Sequence, residues 1–149
     1  MRGVVQRVIE ASVKVDGELI SNINNGILLL LGVEENDEDK DFEYIFKKVI
    51  NLRIFDDENG VMNRSLVDLN KELLVVSQFT LYGDARKGNR PSYIKAASFE
   101  KGIYYYNKFI LKAEDMGIVT KGGKYGADMK VSLINDGPVT ILLDSNKEF

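Results

Sequence analysis

Near its C-terminal end the chain carries a Gly137-Pro138 pair between two segments that otherwise read as an antiparallel ladder, Met129 to Ile134 and Val139 to Leu143. Proline has no N–H to give a ladder and fixes φ, so within sheets it is confined to edges and bulges. Only two prolines occur in 149 residues, which makes this one a positional choice and not background. A preceding glycine opens backbone conformations closed to other residues. X-Pro bonds are also the ones for which a cis form is accessible, in about 5% of folded cases. The pair therefore predicts a bent main chain that presents carbonyls, not side chains, to a ligand.

Composition narrows the chemistry before any motif is read. The chain has no histidine and no cysteine. A Ser-His-Asp triad, a Cys-His dyad, a disulfide framework and the common zinc sites are therefore excluded. Hydrolysis by such a chain rests on carboxylates, lysines, backbone amides, a hard cation held by oxygens, or a group carried by the substrate. At 44% hydrophobic, 149 residues fit one domain, 1–149, with a continuous core. No apolar run reaches the roughly 18 residues of a membrane span, and the N-terminal stretch lacks a signal-peptide core. The expectation is a cytoplasmic protein. Net charge is −3, yet residues 85–130 hold ten Lys or Arg against four Asp or Glu. That half is a candidate phosphate-facing surface, or a solvated helix face balanced by the acidic run from Glu34 to Glu43.

Periodicity gives the elements. Val4–Val8 and Ala11–Val15 read as strands, with a turn at Asp16-Gly17. Ile27–Val33 is a nearly continuous apolar run suited to a buried strand. Phe42, Ile45, Phe46, Val49 and Ile50 follow helical spacing, with Asn36 as the expected N-cap. Arg53-Ile54-Phe55 reads as a strand, Asp56–Gly60 as a turn, and Glu72–Phe79 as a central strand. A second helix spans Ser98–Met116, with Phe99, Ile103, Tyr106, Phe109, Ile110 and Ala113 on its buried face and Gly117 ending it. Many adjacent strands and two helices predict an α+β fold, a curved antiparallel-rich sheet or partly closed β-barrel flanked by two main helices.

Three strings carry polar groups where chemistry is expected. Ser77-Gln78-Phe79-Thr80 falls where the central strand ends, so side chains leave the core and amides turn outward. That position suits an ester carbonyl on which negative charge develops. Thr80 has no histidine to take its proton, and a free hydroxyl is a weak nucleophile near neutrality. In the 83–91 loop and just after it, Lys87 suits phosphate, Arg90 a phosphate or carboxylate, and Tyr93 a stacked base. Gly122–Met129 offers backbone that a ligand can approach closely, with Tyr125, Ala127 and Met129 as pocket walls. Read singly, each string fits ordinary structure as well: strand fraying, a proline turn, a bulged strand entry.

Together, SQFTL, RPSY, GKYGADM and NDGPVT, in this order and spacing, resemble the D-aminoacyl-tRNA deacylase family. Val5–Val8, Ala11–Val13, LLGV at 30–33, Arg53–Phe55 and Met62-Asn63 extend the resemblance over nearly the whole chain. It implies hydrolysis of the ester joining a D-amino acid, or glycine, to the terminal adenosine of tRNA. It further implies a homodimer in which Gly137 and a cis Pro138 of one subunit enter the other's pocket and exclude L side chains. Ser77, Gln78, Phe79 and Thr80 then hold the ester, with amides near Gln78 and Phe79 stabilising the oxyanion and the substrate's 2′-hydroxyl assisting. No cofactor, metal, membrane or DNA enters this reading. Tyr93 and Tyr125 stand where the family commonly has phenylalanine, and Asn89 where a basic or apolar residue is frequent. Two other classes fit the residues alone: a noncatalytic tRNA acceptor-end binding module, and a small-ester hydrolase indifferent to RNA.

Overall fold

The computed structural model describes Met1–Phe149. Strand β1 (Arg2–Val15) is the spine of a mixed sheet. Along one edge it pairs antiparallel with β3 (Gly26–Gly32) through Arg2–Val8 and with β2 (Glu18–Ile23) through Ala11–Val15. Along the other edge runs β8 (Lys130–Asp144), also antiparallel. Beyond β3 the sheet continues in parallel through β6 (Glu72–Ser77) to β7 (Thr120–Gly122). The Ser21 hydroxyl donates to the Gly122 carbonyl at 2.6 Å, drawing β2 toward β7 so that the sheet nearly closes as a barrel with one seam. Helices α1 (Asp39–Asn51) and α2 (Phe99–Asp115) lie against it, and β4 (Phe55–Asp56) and β5 (Met62–Arg64) form a separate hairpin.

The apolar runs are explained by burial on both faces. In β3, Ile27, Leu29 and Leu31 join Phe42, Phe46 and Phe109 of the helices, while Leu28 faces the barrel interior. β6 divides the same way, Leu73 and Val75 outward to the helices, Leu74 and Val76 inward. A parallel strand covered on both sides has no reason to alternate with polar residues.

Several boundaries differ from the sequence expectation. The two N-terminal segments form one strand, because β8 accompanies β1 along its length and register shifts near Val8 absorb the irregularity. Helix α1 is capped by Glu38, in a capping box with Asp41, not by Asn36. Asp37 accepts from the Glu34 amide at 2.7 Å and pairs with the Met1 ammonium, closing a turn before the helix begins. Arg53 and Ile54 precede β4, and β6 ends at Ser77, not at Phe79. Phe99, placed on the buried face of α2, is 57% exposed. The C-terminal segments are one strand carrying a wide bulge: Asn135 pairs with Val8 and Thr140 with Gln6, so Asp136–Val139 face Arg7 alone.

Candidate active site

The site begins where β6 stops. The Gln78 amide makes the last rung of the parallel ladder, donating to the Leu31 carbonyl at 2.8 Å. The chain then turns through one 3-10 turn, Phe79–Tyr82, closed by Leu81 N–H to Gln78 C=O at 3.3 Å and Gly83 N–H to Thr80 C=O at 2.9 Å. As at any helix start, the first donors have no partner within the turn. The N–H groups of Phe79 and Thr80 are left without an intrachain acceptor. Of the two amides expected to serve an oxyanion, that of Gln78 is thus occupied and that of Phe79 is free, with Thr80 beside it. The Gln78 side-chain amide donates to the Thr80 hydroxyl.

Beside this turn lies a cavity of about 440 Å3, lined by Ser77, Gln78 and Phe79, by Phe99 of α2, and by Tyr125, Ala127 and Met129 of the loop after β7. Tyr106 fixes that loop to the strand end. Its hydroxyl donates to the Val75 carbonyl at 3.0 Å and accepts from the Gly123 amide at 2.8 Å. Burial pushes this phenol up to about 12, so it keeps its proton and remains a donor. Tyr125 meets Phe99 edge-on with centroids 5.1 Å apart, and its hydroxyl lies over Gly102, where an added Cβ would come within 1.9 Å of it. The helix glycine makes room for the tyrosine.

The other predicted residues are placed differently. Tyr93 packs edge-on against Phe79 at 5.2 Å, outside the cavity wall. Lys87 and Arg90 stand exposed on a loop whose base is tied by paired Asp84 and Ser92 backbone bonds of 2.8 and 2.9 Å. Neither lines the cavity. The basic half is not one free patch either. Arg86, Lys95, Lys108, Lys112 and Lys130 are ion-paired with Asp84, Glu148, Asp39, Glu43 and Asp128.

Gly137 and Pro138 are joined by a cis peptide and are exposed at the bulge of β8, away from the cavity of their own chain. Arg7 holds the bulge from beneath. Its guanidinium donates to the Asp136 carbonyl at 3.2 Å, contacts the Asp136 carboxylate at 3.2 Å, and donates to the Ile54 carbonyl at 2.7 Å. On the upper side the Val139 amide donates to the Asn135 side chain at 3.0 Å. Arg7 and Tyr106 are site residues that none of the sequence motifs marks. Arg7 is legible in one respect: it shares the buried, helix-facing alternation of Gly3 and Val5, where a cation is out of place unless it binds something.

The geometry defines a largely apolar cavity with an unpaired backbone donor, the Phe79 N–H, on one of its lining residues, built on a nearly closed mixed barrel. Comparison with known proteins then places the chain. The family profile described as D-Tyr-tRNA(Tyr) deacylase matches residues 4–144, and the chain belongs to that family; it is an enzyme, a deacylase. It is similar to the D-aminoacyl-tRNA deacylase of Thermosipho africanus, 54% identical over 149 residues and 100% of both chains. It is likewise similar to that of Clostridium botulinum, 54% identical over 151 residues and 100% of both. Among solved structures, a c-Myc DNA unwinding element binding protein superposes with a TM-score of 0.90 at 44% identity, covering 97% of this chain and 98% of that one. A probable eukaryotic D-amino acid tRNA deacylase shares the fold at a TM-score of 0.82 and 15% identity, over 96% and 98% of the two chains.

Proposed function

We propose that the chain hydrolyses the ester between a D-amino acid and the terminal adenosine of tRNA, and also that of glycine mischarged on the alanine tRNA, acting as a homodimer in the cytoplasm. The observation that carries this reading is the free N–H of Phe79, a residue that lines a cavity whose wall is largely apolar, with the free N–H of Thr80 next in the chain. Such donors stabilise an oxyanion as it forms and need no proton transfer of their own. Water adds to the ester carbonyl, the tetrahedral oxyanion faces these amides, and the bond to the ribose 3′ oxygen breaks as that oxygen takes a proton. The neighbouring 2′-hydroxyl of the substrate supplies the proton relay that a chain without histidine lacks.

Chirality is judged by the main chain. In this reading the Gly137-Pro138 bulge of one subunit enters the partner's cavity, its carbonyls facing the substrate's α-ammonium group and its bulk filling the direction of an L side chain. Two features support it: the bulge is exposed, and β8 is an edge strand bearing Ile134 at 49% and Leu142 at 57% exposure. Selectivity by exclusion needs a part that does not yield, and Arg7 supplies the brace.

The test is a pair of substrates. D-tyrosyl-tRNA loses its amino acid in the presence of the protein while L-tyrosyl-tRNA persists. Equal turnover of both overturns the chiral reading, and saturable tRNA binding without release of amino acid overturns the enzymatic one.

A further inference from the structure

At the C-terminal end of α1 lies a second depression of about 450 Å3, lined by Tyr44, Lys47, Lys48, Asn51, Leu52 and Arg53. None of these is a carboxylate. Lys47, Lys48 and Arg53 are exposed, and none of the three takes part in an ion pair. Lys147 approaches the Tyr44 ring from the C-terminal tail at 5.8 Å, as Lys48 does at 5.7 Å. Of the ten cations of residues 85–130, by comparison, five are neutralised by carboxylate partners.

The depression sits close to the Gly137-Pro138 bulge. Arg53 adjoins Ile54, whose carbonyl takes a hydrogen bond from Arg7, and the same guanidinium holds the Asp136 carbonyl. The two carboxylates nearest this bridge, Asp56 and Asp136, face Arg7 and are engaged by it. Arg53 itself is steadied by donation to the Asn63 carbonyl at 3.1 Å. The Arg7 guanidinium thus links the residue next to Arg53 with the residue next to Gly137.

We infer that Lys47, Lys48 and Arg53 form a phosphate-binding cleft for the tRNA backbone, gripping the nucleic acid whose ester is being hydrolysed beside Gly137-Pro138. The inference rests on the placement of the bulge at a substrate cavity given above. Three unpaired cations around one concavity offer charge for more than one phosphate, and each phosphate neutralised releases counterions. The cleft adds affinity for RNA without touching the ester, so it separates recognition of tRNA from recognition of the amino acid.

The experiment compares two substrates in K47Q/K48Q/R53Q: D-tyrosyl-tRNA, and D-tyrosine esterified to adenosine alone. The expected result is a KM for the tRNA raised about tenfold more than the KM for the adenosyl ester, together with a slope of log Kd for deacylated tRNA against log salt that is shallower by about 2 to 3. K14Q, which removes a single charge far from the cleft, moves the slope by less than about a third of the change in the triple variant. K47Q/K48Q keeps Arg53 and its bond to Asn63, so a triple variant that fails to fold leaves a usable double. If the parent protein deacylates D-tyrosyl-tRNA and the variants raise both KM values equally or neither, with the slope unchanged, the cleft is refuted and the functional reading stands. If the parent turns over neither substrate, the functional reading fails and the cleft falls with it.

Discussion

Arg2 donates through Nη1 to the carbonyl oxygen of Leu81 at 3.0 Å, so the first strand props the 3-10 turn that carries the free amides of Phe79 and Thr80. The same guanidinium pairs with the buried Asp144 carboxylate at 3.2 Å and lies over the Tyr82 ring, its carbon 4.8 Å from the centroid. Arg2→Gln removes the ionic partner of Asp144 and loosens the turn. The expected outcome is a stability loss of about 1 to 3 kcal/mol, the scale for a buried charged group deprived of its partner. A fall in kcat larger than the change in KM accompanies it. Arg2→Lys restores charge beside Asp144 but not the planar fork, so it recovers stability ahead of kcat. Equal recovery of both argues against support of the turn.

Gly137 has φ of +121°, and a Cβ there would meet Arg7 Nη2 at 3.0 Å and Val139 Cγ2 at 2.9 Å. Gly137→Ala therefore costs about 1 to 3 kcal/mol of backbone strain and displaces the guanidinium that braces the bulge. Thermal denaturation registers a midpoint lower by about 3 to 10 °C, and turnover of D-tyrosyl-tRNA drops more than tenfold in a protein whose circular dichroism is unchanged. Full activity in this variant rules out a precise bulge as a requirement.

Thr80→Ala removes a hydroxyl that accepts from Gln78 but leaves the Thr80 amide in place. With oxyanion stabilisation assigned to the backbone, kcat/KM for D-tyrosyl-tRNA stays within about tenfold of the parent. Loss of several orders of magnitude in a folded protein identifies Thr80 as the nucleophile instead.

Tyr106→Phe deletes the oxygen that joins Val75 to Gly123 and leaves the Gly123 amide with only a 3.2 Å bond to the Val75 carbonyl. The loop bearing Tyr125 and Met129 keeps only this weaker tie to the strand end. Stability falls by about 1 to 2 kcal/mol, and hydrogen exchange at Gly123–Met129 accelerates. Unaltered protection of that loop counts against the tie.

Asp57 and Asp68 each contribute to acid stability with a definite sign. Asp57 accepts from the Asn59 and Val61 amides at 2.8 and 3.1 Å, and Asp68 from the Ser65 amide at 2.8 Å; these bonds hold both carboxyls below the ordinary range. A carboxyl whose folded pKa is depressed stabilises the fold above its unfolded value, and that contribution is lost as pH falls through the folded value. Asp37, raised chiefly by burial, has the opposite sign and favours the fold more as it is protonated. The difference between parent and D57N/D68N isolates the first pair: the gap in Tm between them is full near pH 7 and closes below about pH 4. A gap that is constant with pH overturns the assignment.

The sequence determined the layers. Continuous apolar runs at Ile27–Val33 and Leu73–Val76 fixed buried strands, and the helical spacing of Phe42, Ile45, Phe46, Val49 and Ile50 fixed the α1 face, because local period and burial are the same information read twice. It also located the strand end at Ser77–Thr80 and the bend at Gly137-Pro138, since proline and a polar stop after an apolar run are local signals. What it left undecided depends on side chains distant in sequence. Only the folded chain spends the Gln78 amide on Leu31 and leaves that of Phe79 free, and only it sets Arg7 under Asp136. Charge shows the limit most clearly. A count along the chain singles out residues 85–130, yet five of their ten cations are paired with carboxylates, three of them (Lys95, Lys108 and Lys112) with residues distant in sequence, while three from the acidic half, Lys47, Lys48 and Arg53, form no ion pair. Electrostatic neutralisation acts over a few ångströms in space, and a linear tally carries no such distances.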